Sequence, residues 1–145
     1  MSHTETVVMS VGGSLIVPDQ IDTNFLANLK TFVETETANQ RRRFIIIAGG
    51  GKTARRYQEA ANAVSQLKNE DVDWLGLHAT RLNGHLLLTI FRDLAHRVMI
   101  TNPDDVLDVS SDAPLIIAAG YRPGASTDLR AVQIADRVGA KKVIN

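Results

Sequence analysis

The chain contains no cysteine, which excludes a disulfide framework, a thiolate metal centre and a cysteine nucleophile. It also lacks net charge: 16 Lys and Arg balance 16 Asp and Glu. The basic excess of a nucleic-acid or membrane-surface protein is therefore missing. No apolar stretch approaches the ~20 residues that a membrane span needs. Met1 to Thr6 carries no basic segment followed by an apolar run, so no secretory signal is visible. These absences point to a cytoplasmic protein with neither nucleic acid nor membrane as partner. What is present is ordinary for a globular chain: 44% apolar and 22% charged residues over 145 positions. That is one domain-sized unit, 1–145, able to bury most of the surface its unfolded form exposes.

Strand and helix signals alternate. Val7 to Val11 predicts a short buried strand ending in Gly12-Gly13-Ser14. Asp19 and Asp22 mark a helix start, and Ile21, Phe25, Leu29, Phe32 and Val33 follow near helical spacing. Asn39 to Arg43 reads as a polar connection, with Arg41-Arg42-Arg43 as a solvated turn. Phe44 to Ala48 predicts a strand apolar on both faces, as a sheet covered on both sides requires. A helix near Thr53 to Val64 is broken around Asn69-Glu70-Asp71, and a long helix over about 72–95 presents Leu75, Leu82, Leu86 and Ile90 inward. Val98-Met99-Ile100 predicts a short strand, Asn102-Pro103 a turn or helix start, and Leu115 to Ala119 a further buried strand. The next helix carries Ala131, Ile134, Ala135 and Val138 on one face with Gly139 as its C-terminal cap, and Lys142-Val143-Ile144 opens a last strand. The alternation predicts an α/β fold: a mostly parallel sheet with helices on both faces, a three-layer sandwich.

Two glycine loops stand where a strand hands over to a helix. The first is Gly49-Gly50-Gly51-Lys52, with Arg55 one turn on. Glycines let backbone N–H groups approach an oxyanion at the positive end of a helix dipole, and arginine offers a planar fork to phosphate. It is not a P-loop, because Ile46 sits where that pattern needs its first glycine. Gly49, Gly51 and Ala54 fit the looser dinucleotide pattern, but no acidic residue ends a following strand, since Asp71 and Asp73 sit at a helix start. The second loop runs Gly120-Tyr121-Arg122-Pro123-Gly124-Ala125-Ser126-Thr127-Asp128. Ser or Thr there caps a helix and Asp complements its dipole, yet the loop is longer than a cap needs. Both loops follow strand C-termini, where open α/β sheets bind ligands.

Taken in order, Ser10 to Leu15, Ala48 to Lys52 with Arg55, Asp73 to Leu77 with Ala79 to Asn83, and Gly120 to Asp128 resemble the amino acid kinase superfamily, and within it uridylate kinases of the archaeal type. The resemblance implies transfer of the ATP γ-phosphoryl group to UMP with Mg²⁺, in pyrimidine nucleotide biosynthesis. It implies substrate contacts at Gly49, Gly50, Gly51, Lys52, Arg55, Asp73 (ribose hydroxyls), Gly120, Ser126 and Thr127. Around the transferring group it implies Ser10, Gly12, Gly13, Ser14 and Asp128, with no dedicated metal ligand in the chain. It also implies a homo-oligomer, hexameric in relatives. Ser10 stands where many members carry lysine, and Tyr121 and Arg122 replace the residues expected after the loop glycine. The family's C-terminal ATP-binding part does not follow Asn145, so the chain resembles an acceptor-binding half.

Two other functions stay open: another kinase of the superfamily acting on a small phosphate or carboxylate, and a non-catalytic nucleotide-binding or assembly module. His78 and His85, seven apart, lack a third ligand and read as ordinary helix histidines. Trp74 reads as core or subunit contact. Arg81 and Asn83 fit an oligomer interface or the active site equally well.

Overall fold

The computed structural model describes residues 5–39, 42–110 and 112–145. Its elements are β1 (Glu5–Val11), α1 (Gly13–Ile16), α2 (Thr23–Ala38), β2 (Arg42–Ala48), α3 (Gly51–Val64), α4 (Asn69–Ile90), a 3-10 turn (Pro103–Asp108), β3 (Leu115–Ala118), α5 (Thr127–Val138) and β4 (Lys142–Ile144). The four strands form one sheet in the order β3-β2-β1-β4, every pair parallel.

Alternate residues of a strand face opposite sides, and here both sides are covered. Val7, Phe44, Ile46, Leu115 and Ile117 pack against Leu26, Leu29 and Val33 of α2, and against Leu87 of α4 with Phe91. Val8, Ile45, Ile47, Ile116 and Ala118 pack against Val106 of the 3-10 turn and Ala131, Ile134 and Ala135 of α5. The predicted three-layer arrangement is thus present. Helix starts follow their caps: Asp22 accepts from the Phe25 N–H at 2.9 Å, Ser126 from the Leu129 N–H at 3.1 Å, and Asn102 from Asp104 at 3.0 Å. Gly139 closes α5, its N–H donating to Ala135.

The topology decides where a ligand can sit. The connection after β1 lays α2 on one face of the sheet; the connection after β2 lays α4 on that same face and then passes to the other through the 3-10 turn. The connection after β3 crosses the other face through α5. β2 and β3 are neighbours whose outgoing chains part to opposite sides, which leaves a crevice beyond their C-terminal ends. The Gly49 and Gly120 loops are those outgoing chains.

Several expectations need correction. On α4 the inward residues are Leu77, Ala79, Thr80, Asn83, Gly84 and Leu87, whereas Leu82 is 62% exposed. Leu86 and Ile90 pack against the core as expected, and the helix also turns small and polar side chains inward because it covers two loops as well as the sheet. Ile21 precedes α2 and is exposed; on α2 itself Phe32 lies outward and Leu26 and Thr37 lie inward, although Phe32 still meets Phe44 edge-on at 5.8 Å. Val98–Ile100 forms no strand of its own; Ile100 makes an isolated parallel bridge with Ala118. Arg42 and Arg43 are strand residues, not a turn, and Arg41 lies outside the described residues. Arg42 pairs with Glu5 and Glu36, and Arg43 is buried. Glu5 also meets Lys142 at 3.3 Å, and these two cations, Arg42 first, hold its carboxyl below the usual range.

Two leucines on α4 test this packing. Leu87→Ala is expected to lower unfolding stability by about 2–5 kcal/mol, since its side chain is fully buried. Leu82→Ala is expected to change it by no more than about 0.5 kcal/mol. Urea denaturation of the two variants measures both, and equal losses would contradict the observed inner face.

Candidate functional site

Three loops meet at the C-terminal edge of the sheet. After β1, Gly12 leads directly into α1, with Leu15 N donating to Gly12 O at 3.0 Å. After β2, Gly49 N donates to Val11 O at 2.9 Å and Lys52 N to Val17 O at 3.2 Å, so the second loop lies along the first. The approach is too close for any side chain: a Cβ on Gly13 would sit 1.8 Å from Gly51 N, and Gly51 has φ +61°. Glycine at these two positions is therefore a requirement of the fold. It brings the start of α3 against the Gly12–Ser14 turn.

Helix α4 holds this loop and the third one together. Asn83 Nδ2 donates to the carbonyls of Gly49 (2.8 Å) and Gly50 (3.2 Å). One turn away, Thr80 Oγ1 donates to Leu77 O at 2.6 Å and accepts from Gly120 N at 2.9 Å. Arg81 Nε donates to Gly120 O at 3.0 Å and its Nη2 to Tyr121 O at 3.1 Å. Arg81 and Asn83 are thus loop anchors inside one subunit. Behind the loops, Ser10 Oγ donates to Asp128 Oδ1 at 2.8 Å, tying the end of β1 to the first turn of α5.

The result is a cleft of about 590 Å³ walled by residues of all three loops and by α3, α4 and α5. That volume suits a small organic ligand. Of the residues singled out from sequence, Gly13, Gly50, Gly51, Arg55, Asp73, Gly120, Ser126 and Thr127 line it. Ser10, Gly12, Gly49, Lys52 and Asp128 are not among its walls. Ser10 and Asp128 are engaged with each other, and Gly49 is turned toward Asn83. The start of α3 and the start of α5 both line the cleft, through Gly50 and Gly51 and through Ser126 and Thr127, with the Lys52 N–H taken by Val17 O and the Leu129 N–H by Ser126 Oγ.

The charge of the cleft differs from that of the chain. Arg55, Arg122 and Arg130 line it against one carboxylate, Asp73. Arg55 is exposed and pairs with no carboxylate among the described residues. A local positive excess in a neutral protein selects an anionic ligand. The sequence reading missed Gln58, Thr80 and Arg130 as wall residues. Thr80 was visible only as part of a motif. Arg130 lies four residues before Ile134, on the flank of the apolar stripe of α5, and that spacing was the available signal. It is 9% exposed, and burial first, then Arg122, push its guanidinium below the usual value. Trp74 stacks on His78 at 5.8 Å away from the cleft walls.

The chain is 33% identical to the uridylate kinase of Methanospirillum hungatei over 141 residues, covering 97% of this chain and 58% of that one. With the uridylate kinase of Thermoplasma volcanium the figures are 29%, 97% and 60%. Among solved structures, uridylate kinase from Archaeoglobus fulgidus superposes with a TM-score of 0.79 at 27% identity, over all of this chain and 62% of that one. Aspartate kinase from Synechocystis shares the fold alone, with a TM-score of 0.77 at 14% identity. The chain spans about three-fifths of the length of these uridylate kinases. The amino acid kinase family model matches residues 5–145, so the chain belongs to the amino acid kinase family.

Proposed function

We propose that the cleft is the acceptor site of a uridylate kinase-like phosphotransferase, which moves the ATP γ-phosphoryl group onto UMP. The observation that carries this reading is the convergence of the Gly49–Gly51 and Gly120–Thr127 loops on one arginine-rich cleft, in a chain similar to uridylate kinases. The backbone N–H groups at the start of α3 and the free Arg55 take the acceptor phosphate. Asp73, exposed at the cleft, accepts hydrogen bonds from ribose hydroxyls. Ser126 and Thr127 add hydroxyls beside the start of α5. Phosphoryl transfer needs positioning and charge stabilisation more than covalent help from protein groups. The Gly12–Ser14 turn, held against Gly51, lies where the transferring group meets the acceptor.

Mg²⁺ is usually bound through one or two carboxylates plus substrate phosphates. Asp128 lies outside the cleft wall with one carboxylate oxygen held by Ser10, so in this reading the ion would be held mainly through the substrate phosphates. The ion would neutralise charge on the phosphates. Among the described residues no three His, Asp or Glu side chains form a metal cage. Ser10 and Asp128 act in this reading as organisers behind the cleft, and Lys52 contributes longer-range charge. A cytoplasmic, self-associating nucleotide kinase of pyrimidine biosynthesis is the whole-protein setting of this proposal, with exposed Trp74 and Leu82 on α4 available for self-contact.

UMP near 100 times its dissociation constant is expected to stabilise the protein by about 2.7 kcal/mol, a melting-temperature rise of roughly 5–10 °C at this chain length. Arg55→Ala is expected to abolish the rise. A rise with another phosphate ester but none with UMP would instead favour a different kinase of the family.

Asn83→Ala strands the Gly49 and Gly50 carbonyls and is expected to cost about 1–3 kcal/mol of stability. It should also weaken UMP binding at least tenfold. Denaturant unfolding and calorimetric titration test the pair of effects, and a variant with native affinity would show that α4 does not organise the site.

A further inference from the structure

We infer that Gln58 is a positioning residue that sets the span of the cleft, by clamping the helix that carries Arg55 to the helix that carries Asp73. The inference rests on the cleft being the acceptor site, with a phosphate at the Arg55 end and a sugar at Asp73.

Arg55 lies in α3 and Asp73 in α4, two helices joined by the short link of residues 65–68. Little else fixes α3. Ala54 is its one buried residue. Its Arg56 meets Asp19, but both side chains are exposed, and such ion pairs are worth little. Gln58 Nε2, by contrast, donates to Val72 O at 2.9 Å from a half-buried position. It makes the only side-chain hydrogen bond between the two helices among the described residues.

The placement of that bond ties it to the site. Gln58 stands one turn after Arg55, so the two share a side of α3. Val72 directly precedes Asp73. Arg55, Gln58, Asp73 and Gly76 all line the cleft. Gly76, one turn after Val72, leaves room for the amide: a Cβ there would sit 2.9 Å from Gln58 Nε2. A glycine inside a helix costs about 1 kcal/mol relative to alanine, and here it clears the path of the clamp. A carbonyl only accepts, so Val72 O dictates which end of the Gln58 amide faces α4. An apolar residue of similar size would fill the space without fixing where the Arg55 turn stands along α4.

The clamp acts on ligands that touch both helices. When both contacts are held at a preset separation, the second costs no further ordering of the ligand. Once α3 drifts relative to α4, each end still binds but the two no longer reinforce one another. Gln58 thus governs the coupling between the phosphate and sugar contacts, without being either contact.

A double-mutant cycle, read by calorimetric titration of the whole chain with UMP, tests this. In the wild type, Asp73→Asn is expected to weaken UMP binding about tenfold. Gln58→Leu, which keeps the bulk and removes the donor, is also expected to weaken it about tenfold. In the Gln58→Leu background Asp73→Asn should then cost less than about threefold, because the sugar contact is already uncoupled. A general loosening of the fold would lower affinity without changing the cost of Asp73→Asn. Equal costs in the two backgrounds, a Gln58→Leu protein with native affinity, or an Asp73→Asn change that costs nothing in the wild type each overturn the inference and leave a phosphate-binding cleft standing. Should circular dichroism show Gln58→Leu unfolded, Gln58→Asn, one methylene too short to reach Val72, takes its place under the same criteria. A wild type that does not bind UMP overturns the acceptor-site reading itself.

Discussion

Helix α4 grips the two glycine loops through three polar side chains spaced over about one turn, and the site depends on that grip. Asn83 takes the Gly49 and Gly50 carbonyls, and Thr80 and Arg81 take Gly120 and Tyr121. These are buried or half-buried backbone groups that would otherwise lack partners, and leaving such a group unsatisfied costs more than forming the bond yields. One rigid helix therefore sets the spacing of loops that leave different strands. A cleft built this way is preorganised: its loops are fixed in place before any ligand arrives.

The sheet supplies the rest of the frame. Parallel strands put all their C-terminal ends on one edge. The split of the outgoing chains between α4 on one face and α5 on the other opens the crevice between β2 and β3. Gly13 and Gly51 then let two backbones touch where any side chain would block them. The fold places a positive excess at that crevice although the chain is neutral as a whole, because Arg55, Arg122 and Arg130 come from three separate segments.

Much of this was legible in sequence. The runs Phe44–Ala48 and Leu115–Ala119 are apolar at every position, and only a strand buried on both faces explains that. The glycines at 49–51 and 120–124 marked the loops, and the spacing of Ala131, Ile134 and Ala135 marked α5. The misreadings share one cause. Apolar spacing locates a helix face only when the helix packs on apolar neighbours. Helix α4 packs partly on backbone, so its inward residues include Thr80, Asn83 and Gly84 while Leu82 faces out. Arg42 and Arg43 looked like a solvated turn because their strand context is tertiary: Arg42 is balanced by Glu5 and Glu36, which come from β1 and α2.

The sequence alone determined the alternation of strands and helices, the two backbone-exposing loops and the family resemblance, because these rest on local periodicity, on residue types and on short motifs in order. Only the tertiary structure decided that the loops share one cleft, that Asn83, Thr80 and Arg81 hold it, and that Arg130 stands in its wall with no carboxylate partner among the described residues. The loop anchors join residues between 33 and 40 positions apart, and no local pattern encodes which distant donor meets which acceptor.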